Sequence, residues 1–263
     1  MGYLFWFWYA VGFGLLVFYR VPDFLGFSNG LFLLFFAMYA ISMEIRESRL
    51  GGAGSALYLY VRASVVFIST MLIEAYGVAT AIPFGRYDYT PVLGITAWGV
   101  PLAIGAAWVG VVSVCSAMSA SASRLWSAVQ TGLWAMCFDI VLDPASEASG
   151  FWKWSDSGYY YGIPWQNFAS WFVIAFVLAW LLYPPRRSDK ACGPSISAAP
   201  FRLYQALVVL FGILAWKAGL SAAGFAAVLI TAAAEGRLYD ARRKAVKGGG
   251  RRDANPRGQT KVV

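Results

Sequence analysis

Three carboxylates stand where an apolar chain would ordinarily carry none. Glu74 lies inside LIEAYGVATAIPFGRYDY, and Asp139 and Asp143 lie four residues apart at the end of another apolar run. A central aspartate in a bilayer costs roughly 2.5 to 3.5 kcal/mol on insertion scales, so each acid asks for a reason. On a helix, positions 139 and 143 are one turn apart and share a face. Pro144 disfavours helical backbone at the residue before it, which predicts a helix end at Asp143. Acids in unlike surroundings can serve as proton donor and proton acceptor to one substrate. Around them in sequence come Tyr87, Tyr89, Trp152, Trp154 and Tyr159 to Tyr161, and aromatic faces stabilise a cation once it forms. Acid, base and ring cage together suit proton-initiated addition to, or isomerisation of, an apolar alkene. The spacing alone does not name that alkene.

Each feature also has a plainer reading. The rings fit an interfacial aromatic belt. Asp143 before a proline fits a solvated turn. Glu74 fits a hydrogen bond that glues one helix to another. The functional reading rests on the default that an ionisable group inside a membrane span has a job.

Composition sets the frame that must hold these residues. Of 263 residues, 59% are hydrophobic and 13% charged, whereas soluble domains are about half apolar and about a quarter charged. Apolar runs near the length of a membrane span recur along the chain, so the expected fold class is all-α, a polytopic bundle of transmembrane helices. The first run begins at Met1 with no basic segment before it and no small-residue cleavage site, and is expected to be a retained helix. The chain has no histidine. That excludes histidine-held haem, histidine-box di-iron sites and Ser-His-Asp hydrolysis. Cys115, Cys137 and Cys192 are far apart and read as apolar fillers, with no disulfide framework and no zinc site. No glycine-rich phosphate loop is present. No metal and no cofactor are expected.

The predicted spans are Tyr3–Tyr19, Gly30–Met43, Val61–Thr80, Trp98–Met118, Leu125–Leu142 and Trp165–Tyr183, followed by an apolar stretch from Leu203 to Ala234. That stretch is interrupted at Lys217-Ala218-Gly219 and reads as one helix plus an interfacial segment or as a hairpin of two short helices. With a cytoplasmic N-terminus, one side collects Arg46, Arg49, Arg62, Arg124, Arg186, Arg187, Lys190 and Arg202. The other side holds Arg20, Arg86 and Lys153. Basic loops mark the cytoplasmic side, and the basic tail from 237 to 263 joins the first group only if the span number is even. Eight spans are therefore expected, with seven as the alternative. Residues 1–236 form a single transmembrane domain, and 237–263 are expected to be a disordered cytoplasmic tail marking topology or touching anionic lipid headgroups. The tail lacks interleaved aromatics, so nucleic acid is not an expected partner. In this arrangement the loops after the third and fifth spans emerge on the same side, where they can meet over a pocket holding the three acids.

The residues also carry a resemblance. EAYGVATAIPFGRYDY, with Leu93-Gly94, GVPL at Gly99 to Leu102, and Trp108, resembles the CruF family of carotenoid 1,2-hydratases, related to bisanhydrobacterioruberin hydratase. DIVLDPASEASGFWKWSDSGYYYGIPWQNFASWF resembles the second signature block of the same family, in the right order. The likeness covers roughly Glu74 to Phe172. It departs at Ala81-Ile82, where a Thr-Gly pair precedes the PFG motif, and at Ser170, where glycine precedes the late tryptophan. Neither change removes an ionisable group.

The resemblance implies addition of water across the terminal C1–C2 double bond of an acyclic carotenoid end group, without a redox cofactor. A neutral acid, Asp139 or Glu74, would protonate C2, and Asp143 would orient water or act as base. Phe84, Tyr87, Tyr89, Trp152, Trp154, Tyr160, Asn167 and Trp171 would line the end-group pocket. The implied partners are a lipid-dissolved carotenoid, membrane lipids and other enzymes of the pathway, in a prokaryotic cell membrane. Two readings compete. One is a retinal-binding photoreceptor that uses Lys217 as its Schiff-base lysine; the other is a non-catalytic carotenoid-binding or transport protein. A prenyltransferase would need a second acidic cluster for metal diphosphate, and the chain has none.

Overall fold

A computed structural model of the protein describes residues 1–19, 25–50, 56–119, 121, 123–183 and 197–253, with side chains for all of these except 49–50 and 244–253. Arg20, Arg186, Arg187, Lys190, Cys192 and residues 254–263 of the expected tail lie outside the described residues, as does the side chain of Arg49.

The described chain forms eight α-helices: α1 (Gly2–Phe18), α2 (Phe27–Leu50), α3 (Ala56–Thr80), α4 (Leu102–Met118), α5 (Arg124–Ala148), α6 (Trp165–Leu182), α7 (Ala199–Lys217) and α8 (Ser221–Asp253). Among the described residues, α2, α3, α5, α6 and α7 are long and apolar enough to cross a membrane. The apolar helices α1 and α4 have 17 residues each, the lower limit for a span. Ile68, Leu72, Val173, Val177, Val228 and Leu229 are exposed, as an apolar protein surface facing lipid requires.

The stretch expected as one span or a short hairpin is a hairpin of two full helices, α7 and α8, turning at Ala218 to Leu220. From residue 237, where the disordered tail is expected to begin, the described chain is still helical. Helix α8 continues to Asp253, because Ala234, Leu238 and Ala241 recur at helical spacing and are buried.

At the centre lies α4, whose side chains from Ile104 to Met118 are almost all buried. Small residues let its neighbours approach closely, as is usual between helices in lipid. A Cβ at Gly110 would stand 2.3 Å from the Phe36 ring of α2, so that contact exists only because position 110 has no side chain. Helix α5 packs against α6, α7 and α4, which brings its acidic face inward.

The two ends of the bundle differ in chemistry. At one end Arg62 pairs with Glu44 and lies over the Tyr183 ring, 3.9 Å from its centroid. Arg124 Nε there donates to the carbonyl of Trp180 at 2.6 Å, and Arg202 pairs with Glu235 at 2.5 Å. The opposite end carries the loops after α3 and α5, and these are more ordered than an all-helical reading foresees. Strand β1 (Tyr87–Tyr89) and a second short ladder, β2 (Thr96–Ala97) with β3 (Val100–Pro101), follow α3, and β4 (Trp152–Trp154) follows α5. Strands β1 and β4 pair antiparallel, with Tyr87 opposite Trp154 and Tyr89 opposite Trp152.

Candidate active site

Strand pairing decides which way the rings point. Side chains alternate across a strand, so Tyr87, Tyr89, Trp152 and Trp154 fall on one face while Asp88 and Lys153 fall on the other and are exposed. The ring face lies over the ends of α3 and α5, and each strand serves one acid. The Tyr87 hydroxyl donates to Glu74 Oε2 at 2.5 Å and the Tyr89 hydroxyl to the same oxygen at 2.9 Å. Trp152 Nε1 and Trp154 Nε1 donate to Asp143 Oδ1 at 2.6 and 3.0 Å. Burial, with Glu74 alongside, pushes both tyrosine hydroxyls well above the usual phenol range. They therefore stay protonated and keep donating at ordinary pH.

Further donors reach the acids from α4 and α6. Trp108 Nε1 donates to Glu74 Oε1 at 2.9 Å, and its ring stacks on Trp171 with centroids 4.2 Å apart. Asn167 Nδ2 donates to Asp139 Oδ2 and to Asp143 Oδ2, both at 2.7 Å. One amide therefore ties the two aspartates into a single unit. Glu74 and Asp143 each accept three hydrogen bonds, while Asp139 accepts only the one from Asn167 among the described residues. All three acids are buried.

Close approach of the lid depends on one small residue. Gly77 sits three residues after Glu74, and a Cβ there would stand 2.7 Å from the Phe84 ring and 3.3 Å from the Tyr87 hydroxyl.

The acids open onto a cavity of about 170 Å³, far beyond the roughly 10–15 Å³ that one water needs. Glu74, Asp139, Asp143, Phe84, Tyr87, Tyr89, Trp152, Trp154, Asn167 and Trp171 all line it. Trp8, Val11 and Leu15 of α1 and Phe32 and Leu33 of α2 add an apolar part to its wall. Val11 and Phe27, also on its wall, are exposed on the surface of the bundle.

Two expectations are corrected. Pro144 does not end α5, which runs on to Ala148. A proline leaves the carbonyl four residues earlier without its helical partner, and the Tyr160 hydroxyl donates to that carbonyl, Ile140 O, at 3.1 Å. The same contact removes Tyr160 from the pocket wall. Its ring packs edge-on against Tyr161 and Phe168, and burial pushes its hydroxyl up to about 12. Trp108 is the ligand of Glu74 that sequence reasoning left out of the pocket. The available signal was an indole N–H on a helix of otherwise small apolar residues, where it must find a partner.

Lys217 stands apart from the acids. It is exposed, and its ammonium donates to the carbonyls of Leu16, at 3.1 Å, and Val17 at the C-terminal end of α1. A cation there complements the helix dipole. It does not line the cavity that holds the acids, so that cavity lends the photoreceptor reading no support.

A family model described as carotenoid biosynthesis protein matches residues 28–234, from the N-terminal turn of α2 into α8. The chain belongs to the carotenoid biosynthesis protein family. All three acids and every donor to them lie within the matched residues, while α1 and its cavity wall precede them. The chain is also 30% identical over 168 residues to bisanhydrobacterioruberin hydratase of Haloarcula japonica, a match that covers 58% of this chain and 53% of that protein. It thus spans about half the length of that relative. No solved structure matches it. Family membership and the apolar helices together make this an integral membrane protein of carotenoid biosynthesis.

Proposed function

We propose that this protein is a carotenoid 1,2-hydratase, adding water across the terminal C1–C2 double bond of an acyclic end group. The observation that carries the proposal is the lining of the cavity. Three buried acids lie under a ring-lined lid, and α1 and α2 add apolar residues to the same wall. The apolar wall suits a polyene chain, and the acids suit the alkene at its tip. The hydratase named among its relatives supports the same reading.

The residues divide the work by their hydrogen bonds. Asp139, with one donor and a free oxygen, gives its proton to C2 and leaves a tertiary cation at C1. The faces of Trp152, Trp154, Trp108 and Trp171 shelter that cation. Water attacks C1 and passes a proton to Asp143, whose charge is held by two indole N–H groups and the Asn167 amide. A proton then returns from Asp143 to Asp139 through water in the cavity, while the Asn167 amide, a donor to both, holds the two carboxyls side by side. Hydrogen and hydroxyl are added in sum, with no change of electron count, so no redox cofactor is required. Glu74 anchors the lid through Tyr87, Tyr89 and Trp108. The positive-inside rule places the end bearing Arg62, Arg124 and Arg202 at the cytoplasm of a prokaryotic cell, with α8 leading the tail there.

Pigment analysis of cells that make lycopene tests the scheme. Asp139→Asn and Asp143→Asn are each expected to reduce hydroxylated carotenoid by about 10²- to 10⁴-fold, the usual contribution of a positioned proton-transfer group. Glu74→Gln is expected to reduce it less. Wild-type yields from all three variants, at equal protein level, overturn the acid-base reading and favour a carotenoid carrier.

A further inference from the structure

One polar group in the cavity wall has no role in the scheme above. Ser146 lines the cavity, is fully buried, and its hydroxyl has no hydrogen-bond partner. A serine inside a helix ordinarily bonds back to the carbonyl four residues earlier, and Thr70, Ser119, Thr131 and Ser149 do so here. Ser116 and Thr231 also lack partners, but neither lines this cavity. Leaving a buried hydroxyl unpaired is unfavourable, so its place on the wall of the acids' cavity calls for a ligand. Positions 139, 143 and 146 follow the spacing i, i+4, i+7 and form one stripe on α5. Asp139 and Asp143 are joined by Asn167, and Ser146 continues their line toward Phe151 on the lid side of the cavity.

We propose that Ser146 positions the attacking water, its hydroxyl and Asp143 holding that molecule against C1. This inference rests on the hydratase reading. The water gives one hydrogen to the Asp143 carboxylate and the other to the Ser146 oxygen, leaving a lone pair directed at the cation. As the C–O bond forms, the proton facing Asp143 transfers to it, and Ser146 returns to its starting state with no bond made or broken. Ser146 therefore acts only after the cation exists. Without it, the cation still forms at C1 but is captured slowly and reverts by losing a proton from C2.

The test separates those two steps. Membranes carrying the full chain are incubated in D2O with an acyclic carotenoid, and mass spectrometry follows both the alcohol and the deuterium in recovered alkene. Ser146→Ala is expected to lower alcohol formation on the order of 10- to 100-fold, the scale of a misplaced reactant, while deuterium still enters the alkene at a rate near wild type. Asp139→Asn is expected to stop both. Unchanged alcohol formation in Ser146→Ala overturns the proposal, and so does an equal fall of alcohol and exchange, which marks a merely structural hydroxyl. A wild-type chain giving neither alcohol nor exchange overturns the hydratase reading itself and removes this inference with it.

Discussion

At the scale of single residues, Asn167 is the keystone, because one amide nitrogen satisfies both aspartates at 2.7 Å. Asn167→Leu keeps the volume near constant and removes both donations. It leaves two buried carboxyls short of a donor, at a cost of about 1–3 kcal/mol for each unsatisfied group. The expected outcome is a lower melting temperature in detergent and a loss of hydration at least as large as that of either aspartate variant; full activity would separate the aspartates' chemistry from their shared amide. The acids themselves were legible in the sequence, since a carboxylate in an apolar run announces itself. The division of donors was not. No spacing rule tells that tyrosines of one loop serve Glu74 while tryptophans of the other serve Asp143, because that follows from strand register. Ser146 was silent for another reason: a small hydroxyl in a helix is ordinarily bonded to its own backbone.

At the scale of elements, α5 owes its last turn to a residue from the next loop. Tyr160→Phe retains the ring packing but strips the Ile140 carbonyl of its donor, and it is expected to destabilise the protein by about 1–3 kcal/mol. Hydrogen exchange should quicken mainly beyond Pro144, and unchanged protection there would contradict the account of how α5 passes the proline. Ala81 offers a prediction of opposite sign. It closes α3 at φ +65°, a left-handed conformation that costs a residue with a Cβ roughly 1–2 kcal/mol relative to glycine. Ala81→Gly is therefore expected to raise the melting temperature, and a lower one would refute the strain. The departure from the Thr-Gly pair noted in the sequence falls on this position. Most helices were readable from hydropathy, and the break at Lys217 was readable as well. The helix end placed at Asp143 was wrong because the sequence rule for proline weighs only local backbone, and the compensating donor lies 20 residues further on.

At the scale of the whole molecule, the bundle sets an arginine-bearing end, with Arg62 held by Glu44 and Tyr183, against a ring-lidded acidic end at the other end of the same helices. Val11 and Phe27 on the cavity wall are exposed on the surface of the bundle at α1 and α2, where the proposed function requires a lipid-dissolved chain to enter. The meeting of the two aromatic loops was foreseeable from an odd-even count of spans, but the cavity wall supplied by α1 was not, since nothing in Trp8, Val11 or Leu15 differs from ordinary lipid-facing residues. The central claim is that this hollow hydrates the tip of an acyclic carotenoid. Expression of the full chain in lycopene-producing cells grown in oxygen-18 water, followed by mass spectrometry of the pigments, measures it most directly. Lycopene derivatives heavier by one or two waters are expected, with their oxygen drawn from the labelled solvent. Unmodified lycopene, or an oxygenated pigment free of solvent label, would contradict it.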